Sequence, residues 1–257
     1  MTVPEVAVLI VFCSLASVTQ SVSGFGFGVV LVAVLPLFND GGSFGFDIER
    51  VVVLVTLVVG INILIGLWRV RRHASLRRVM WLVIGVPFGI PLGMYLLTEG
   101  PEWALRGLLG AVLVFAAIEP VFLRRAEPAP EKRGWALFAG VCSGALGGAL
   151  STGGPPVVIY YFRRQWSKEA TKAAVMLVFT GTVAMRLVAY GLKGGLITQA
   201  RLLDAAVAAP VVGGASRVGE RLFRAIGQSG FRRAVAAMIV LSGAYQLYRA
   251  VLLAMGG

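Results

Sequence analysis

GVCSGALGGALSTGGPPVVIYYF, residues Gly140 to Phe162, is apolar enough for a membrane interior, yet its middle reads Ser151-Thr152-Gly153-Gly154-Pro155-Pro156. A second stretch, Val6 to Phe38, has the same character and breaks at Gln20-Ser21-Val22-Ser23-Gly24-Phe25-Gly26-Phe27-Gly28. Irregular backbone at membrane depth survives only where protein or enclosed water satisfies its N–H and C=O groups. Two such breaks at corresponding places in two halves point to a transporter's binding site.

Composition sets the class. Of 257 residues 58% are hydrophobic and 14% charged, and the mean hydropathy is +0.84, which excludes an ordinary soluble domain. A net charge of +12 would suggest nucleic acid for a soluble chain, but here the placement of the cations decides. They gather in four clusters: Arg69, Arg71, Arg72, Arg77 and Arg78; Arg124, Arg125, Lys132 and Arg133; Arg163, Arg164, Lys168 and Lys172; Arg217, Arg221, Arg224, Arg232 and Arg233. Eighteen of the 24 basic residues thus sit in loops between apolar runs, a positive-inside signal with no nucleic-acid partner implied. Cys13 and Cys142 both lie in apolar segments and read as small hydrophobes without a disulfide. The N-terminus carries Glu5 and no basic region, so no signal peptide is expected.

Three unbroken apolar runs follow each broken one: Val51 to Trp68, Val79 to Leu97 and Trp103 to Leu123, then Ala173 to Leu192, Leu202 to Gly219 and Ala234 to Ala254. Each approaches the ~20 residues a spanning helix needs, the fifth being weakened by Asp204 and Pro210. Were the second broken stretch to cross, the basic loops would fall on opposite sides; if it dips and returns, all four share one side. The other side then holds Asn39 to Glu49, Thr98 to Glu102 and Gly191 to Ala200, whose only cation is Lys193. Arm length agrees, since Pro155 to Phe162 reaches only ~12 Å at ~1.5 Å per residue.

An odd number of crossings per half turns the second half upside down. Gly89, Gly93 and Arg106 match Ala215, Gly219 and Arg232 at an offset of 126, and Ser23 to Gly26 lie against Ser151 to Gly154 at 128. The expected fold is an all-α integral membrane protein of two inverted repeats, residues 1–126 and 127–257. Each repeat is a broken re-entrant helix hairpin plus three transmembrane helices, about eight helical segments in all.

The glycine-rich motif early in each half, SGFGFGVVLVAVLPLF and GALSTGGPPVVIYYF, resembles the TauE/SafE family of sulfite exporters, or TSUP-type transporters. So does the pattern of small residues then charge in GIPLGMYLL…LRGLLG and VVGGASRVGERL…FRRAVAAMIVLSG. The resemblance spans nearly the whole chain. It implies transport, export foremost, of a small sulfur-containing anion such as sulfite, sulfoacetate or another organosulfonate across a bacterial inner (cytoplasmic) membrane. Phe25 and Phe27 depart from the family's plainer glycine run, which implies a narrower pocket.

A sulfur oxyanion needs hydrogen-bond donors in a dry site, and a half-helix starting at a glycine-rich break offers free N–H groups with the positive end of its dipole. Pro155 or Pro156 suits the first helical position, and Ser151 and Thr152 can cap that helix while lending hydroxyls. The first break offers Gln20, Ser21, Ser23 and the amides from Gly24 to Gly28, and the anion is expected between the two hairpin tips at mid-membrane. Arg186 is the one cation deep in a clean span, ~18 Å beyond Ala174, where an unpaired charge costs at least ~2.5 kcal/mol. The binding set read from the sequence is therefore Gln20, Ser23, Gly24, Phe25, Gly26, Asn62, Ser151, Thr152, Gly153, Gly154 and Arg186, with Thr56, Thr180 and Thr182 as weaker candidates.

Each has a plainer alternative: Gly24 and Gly28, or Gly144 and Gly148, let helices approach closely; Arg186 snorkels or pairs with a carbonyl; Asn62 and the threonines only pack. Glu119, late in a span, either couples a proton or pairs with Arg124. His73 lies in a basic loop, so nothing buried can activate Ser151, and neither enzyme chemistry, a metal nor a cofactor is expected. The remaining functional alternative is a passive anion channel. Expected partners are the small sulfur oxyanion or sulfonate and the lipid bilayer, with a homodimer as a possible assembly.

Overall fold

Long apolar runs in lipid can satisfy their backbone within one segment only as helices, and helices are what form. The computed structural model describes residues 3–35, 48–101, 103, 104, 106, 107, 110, 111, 132–162, 166–225 and 228–255. Among them are α1 Val3–Ser23, α2 Phe27–Val34, α3 Ile48–Val70, α4 Leu76–Glu99, α5 Arg133–Leu150, α6 Gly154–Phe162, α7 Lys168–Lys193, α8 Gln199–Ala225 and α9 Gln228–Met255. A 3-10 turn, Arg71–His73, joins α3 to α4 and leaves His73 exposed. No described residue is in a strand. Most of Trp103 to Leu123, with Glu119, Arg124 and the 126/127 repeat boundary, lies outside the described residues.

The chain is an all-α membrane protein. Helices α1, α3, α4, α7 and α8 are each long and apolar enough to cross a bilayer. On α4, Phe88 is 72% and Tyr95 64% exposed while Val86 and Ile90 are buried, so its apolar side chains face both ways, toward neighbours and toward lipid. Pro87 and Pro91 are accommodated within α4 and Pro210 within α8, the span weakest by sequence, which nonetheless runs unbroken for 27 residues.

Both broken stretches are helix–break–helix units. Gly24 and Gly26 adopt φ of +85° and +102°, a conformation that costs an L side chain ~1–2 kcal/mol, and they turn the chain from α1 into α2. The second break places Ser151 itself at φ +55°, closing α5 with its N–H on the Gly147 carbonyl at 3.0 Å.

Packing follows one rule applied twice: α1 lies on α8 and α5 lies on α4, while α3 packs on α8 and α7 on α4. Ser17 reaches the Val212 carbonyl and Ser21 the Ser216 hydroxyl, so α1 and α8 run parallel. In α4 and α5, Gly85 abuts Leu137 to Val141 and Gly93 abuts Ala145 to Ala149, again parallel. Thr56 meets Tyr190 and Gly66 meets Met176, which makes α3 and α7 antiparallel. Thr98 bonds Lys193, so α4 runs with α7 and against α3. Arg50 meets Asp204 near the starts of α3 and α8 and Gly66 abuts Glu220 further along both, so α3 runs with α8, and α1, α3 and α4 run opposite to α5, α7 and α8 respectively.

One detail of depth differs from the sequence reading. At ~1.5 Å per residue the 21 residues of α1 cover ~31 Å, so the first break passes the middle. A Cβ on Gly24 would lie 3.7 Å from Lys172 Cγ in the second turn of α7, while Ser151 reaches the Val52 carbonyl near the start of α3. The two breaks overlap between those limits: a Cβ on Gly28 would stand 2.9 Å from the Ser151 carbonyl carbon, and one on Gly154 would stand 2.8 Å from Phe25.

Candidate functional site

Where the breaks overlap there is a cavity of about 30 Å³, room for one or two waters, walled by Gln20, Gly26 to Val29, Gly147, Ser151 to Gly154 and Arg186. Val59 and Ile63 from the middle of α3, with Phe179, Thr182 and Val183 from α7, complete it.

Arg186 supplies the charge. It is 3% exposed; Nη1 donates to the Gly147 carbonyl at 2.7 Å and to the Ser151 hydroxyl, while Nε has no partner. Among the described residues no carboxylate pairs with it. A guanidinium at a helix C-terminus is partly balanced by that helix's dipole, equivalent to ~0.5 charge, so net positive potential remains. Thr152 Oγ1, also on the cavity wall, is buried without a partner. Orphaned buried donors are uncommon and cost ~1–3 kcal/mol, which a ligand oxygen would recover.

Gln20 adds a donor whose orientation follows from its neighbours. Asn62 Nδ2 donates to the Ser17 carbonyl at 3.2 Å, and Asn62 Oδ1 accepts from the Ser17 and Ser21 hydroxyls at 3.2 and 3.1 Å. The carbonyl contact fixes which end of the Asn62 amide is nitrogen, and that nitrogen also reaches Gln20 Oε1 at 3.0 Å. Gln20 must then present its oxygen to Asn62, leaving its NH₂ for the cavity. Asn62 itself does not line that cavity.

The half-helix starts contribute unequally. Gly26 in the left-handed region begins α2, and the N–H groups of Phe27, Gly28 and Val29 precede the first bonded amide, Val30 to the Gly26 carbonyl at 2.9 Å. In α6 the first turn contains Pro155 and Pro156, which have no N–H, so that end offers Gly154 and little else.

Charge, donors and enclosure thus meet where two broken helices cross, and a profile of the family described as sulfite exporter TauE/SafE matches residues 9–246. The chain belongs to the TauE/SafE family. A protein from Cupriavidus necator described as "Probable sulfite/organosulfonate exporter TauE" is 27% identical over 239 residues, covering 90% of each chain. No solved structure matches.

With the TauE/SafE fold in view, the sequence candidates separate. Gln20, Gly26, Ser151, Thr152, Gly153, Gly154 and Arg186 come together at the cavity. Gly24 and Phe25 shape the break without lining it, and Asn62 lies behind Gln20. The Ser23 side chain is outside what is described. Ser151 does not cap α6: its hydroxyl donates to Val52 at 3.0 Å and its backbone ends α5. Thr182 lines the cavity but spends its hydroxyl on the Val178 carbonyl at 2.9 Å, and Thr180 bonds Met176 in the same way. Gly144 and Gly148 face α4, so close approach is their role.

Lys172 is the main correction. Grouped by sequence with the loop cations, it is instead a fully buried residue of α7 bonded to Glu220. A second pair, Arg50 with Asp204 at 2.7 and 2.9 Å, joins α3 to α8 near the other end. Polar residues inside apolar helices were the available signal: Asp204 and Glu220 are both on α8.

Proposed function

We propose that this chain is a secondary transporter that exports a small sulfur-containing anion, sulfite or an organosulfonate, bound in the cavity between the two broken helices. The observation that carries the reading is Arg186: a buried cation with an unpartnered Nε and, among the described residues, no carboxylate, beside the orphaned Thr152 hydroxyl and the Gln20 amide. A cation with such donors around it suits an oxyanion, which offers several acceptor oxygens and, fully ionised, no donor. Carbonyl-lined breaks would favour a cation instead. The family and the C. necator relative support sulfur chemistry for the ligand.

Calorimetry of the purified chain with sulfite, sulfoacetate, sulfate and chloride tests the site. Sulfite or a sulfonate should bind best, and Gly26→Val, which puts a Cβ at φ +102°, should eliminate binding. Unchanged affinity for the best anion in both Gly26→Val and Arg186→Ala would remove the anion from this cavity. In proteoliposomes a transporter gives saturable flux that speeds up with anion on the far side; linear flux without that acceleration is the mark of a channel.

A further inference from the structure

Lys172 and Arg186 are 14 residues apart on α7. At ~100° per residue that spacing returns to within ~40° of the same face, and it separates the two cations by ~21 Å along the axis. The cavity residues Phe179, Thr182 and Val183 lie between them. At the Lys172 end, beyond the first break, opens a basin of about 480 Å³ whose lining includes Arg69, Arg71, Arg72 and Arg224. Glu220 and Phe223 belong to the wall of that basin and also touch Lys172.

Every donor direction of the Lys172 ammonium is taken. Nζ stands 2.5 Å from Glu220 Oε1, 2.5 Å from the Ser21 carbonyl at the end of α1, and 3.9 Å from the Phe223 ring centroid. The side chains of the pair are 0% and 2% exposed. Two buried charges both lose their hydration, which their attraction commonly fails to outweigh, so such a pair is a poor device for stability alone. Its location, between an arginine-lined basin and a cavity built around another cation, gives it a different use.

We propose that the Lys172–Glu220 pair is the gate between basin and cavity, and that Glu220 holds on Lys172 the place the transported anion takes in passing. The carboxylate is an internal anion: while it caps Lys172 the passage is shut, and an incoming oxyanion that displaces it gains Lys172 as a station on the way to Arg186. The proposal rests on the anion reading of the cavity and adds the route into it.

Labelling and exchange separate this gate from a simple tie between α7 and α8. In a Cys13→Ala/Cys142→Ala background, Val183→Cys reports access to the cavity for an impermeant maleimide applied to the basin side of proteoliposomes. With no sulfur anion present, Glu220→Gln should raise the labelling rate about a hundredfold or more, the shift that loss of one partner of a buried pair makes to a two-state closure. Sulfite exchange should survive in Glu220→Gln and disappear in Glu220→Gln/Lys172→Met, because the anion needs the ammonium whether or not the carboxylate is there. Unchanged labelling in Glu220→Gln, or exchange retained in the double-neutral chain, overturns the gate. Labelling is read without ligand, so a wild-type chain that fails to bind sulfite strikes the function proposed above and leaves this result standing.

Discussion

Arg186 is held by its neighbours without being neutralised by them, and that difference makes its substitution informative. Arg186→Ala should leave a folded protein, since the bonds it loses are to one carbonyl and one hydroxyl, but abolish sulfite uptake in proteoliposomes. Arg186→Lys should restore uptake only in part, because an ammonium lacks the planar set of donors that lets one nitrogen hold Gly147 while another serves the ligand. Asn62 acts one step further back. Asn62→Ala frees the Gln20 amide to rotate and should raise the half-saturating sulfite concentration about tenfold, the worth of roughly one hydrogen bond, with a smaller effect on maximal rate. An unaltered half-saturation would mean that Gln20 does not contact the anion.

At the level of elements, the α4–α5 crossing depends on the absence of side chains. A Cβ on Gly89 would lie 2.6 Å from the Ala145 nitrogen and one on Gly93 would lie 2.7 Å from the Ala149 nitrogen, so backbone meets backbone there. Gly89→Val should cost about 1–3 kcal/mol or more through overpacking, seen as a lower unfolding temperature in detergent. Gly60, in the middle of α3, has nothing within 4 Å of its Cβ position. Gly60→Ala should therefore be neutral or stabilise by about 0.5–1 kcal/mol, since alanine loses less freedom in a helix. Equal losses in the two variants would show that the close crossing is not what holds α5 in place.

Over the whole molecule, the ends rich in cations and tryptophan gather on one side. Arg71 lies over Trp68 at the end of α3, Arg78 over Trp166 ties the beginning of α4 to that of α7, and Arg133 over Trp81 ties the beginning of α5 to that of α4. Cations with aromatic rings at helix ends form the belt expected at a membrane surface, and the positive-inside rule assigns that surface to the cytoplasm. Single cysteines test the assignment. In intact cells Thr198→Cys, exposed between α7 and α8, should react with an impermeant reagent, and exposed His73→Cys should react only after the membrane is opened. The reverse pattern would invert the chain and with it the direction in which the basin opens.

Hydropathy, the two interrupted runs and the placement of cations are properties of the chain read one residue at a time, so they alone established a multi-pass helical protein, its paired breaks and Arg186 as a cation deep in a span. What a residue does once buried depends on which helix crosses it, and no local pattern contains that. Asn62 became a support for Gln20 only because α1 lies against α3. Lys172 stands five residues into a helix that follows a basic loop and counts there as one more loop cation; its partner Glu220 is 48 residues away on α8 and Ser21 is 151 away on α1. The same holds for depth, where α1's length and the crossing with α7 carry the first break beyond the middle. Charge and apolarity add along a sequence, whereas pairing in a low-dielectric interior is settled by contact, and only the tertiary arrangement brought these groups into contact.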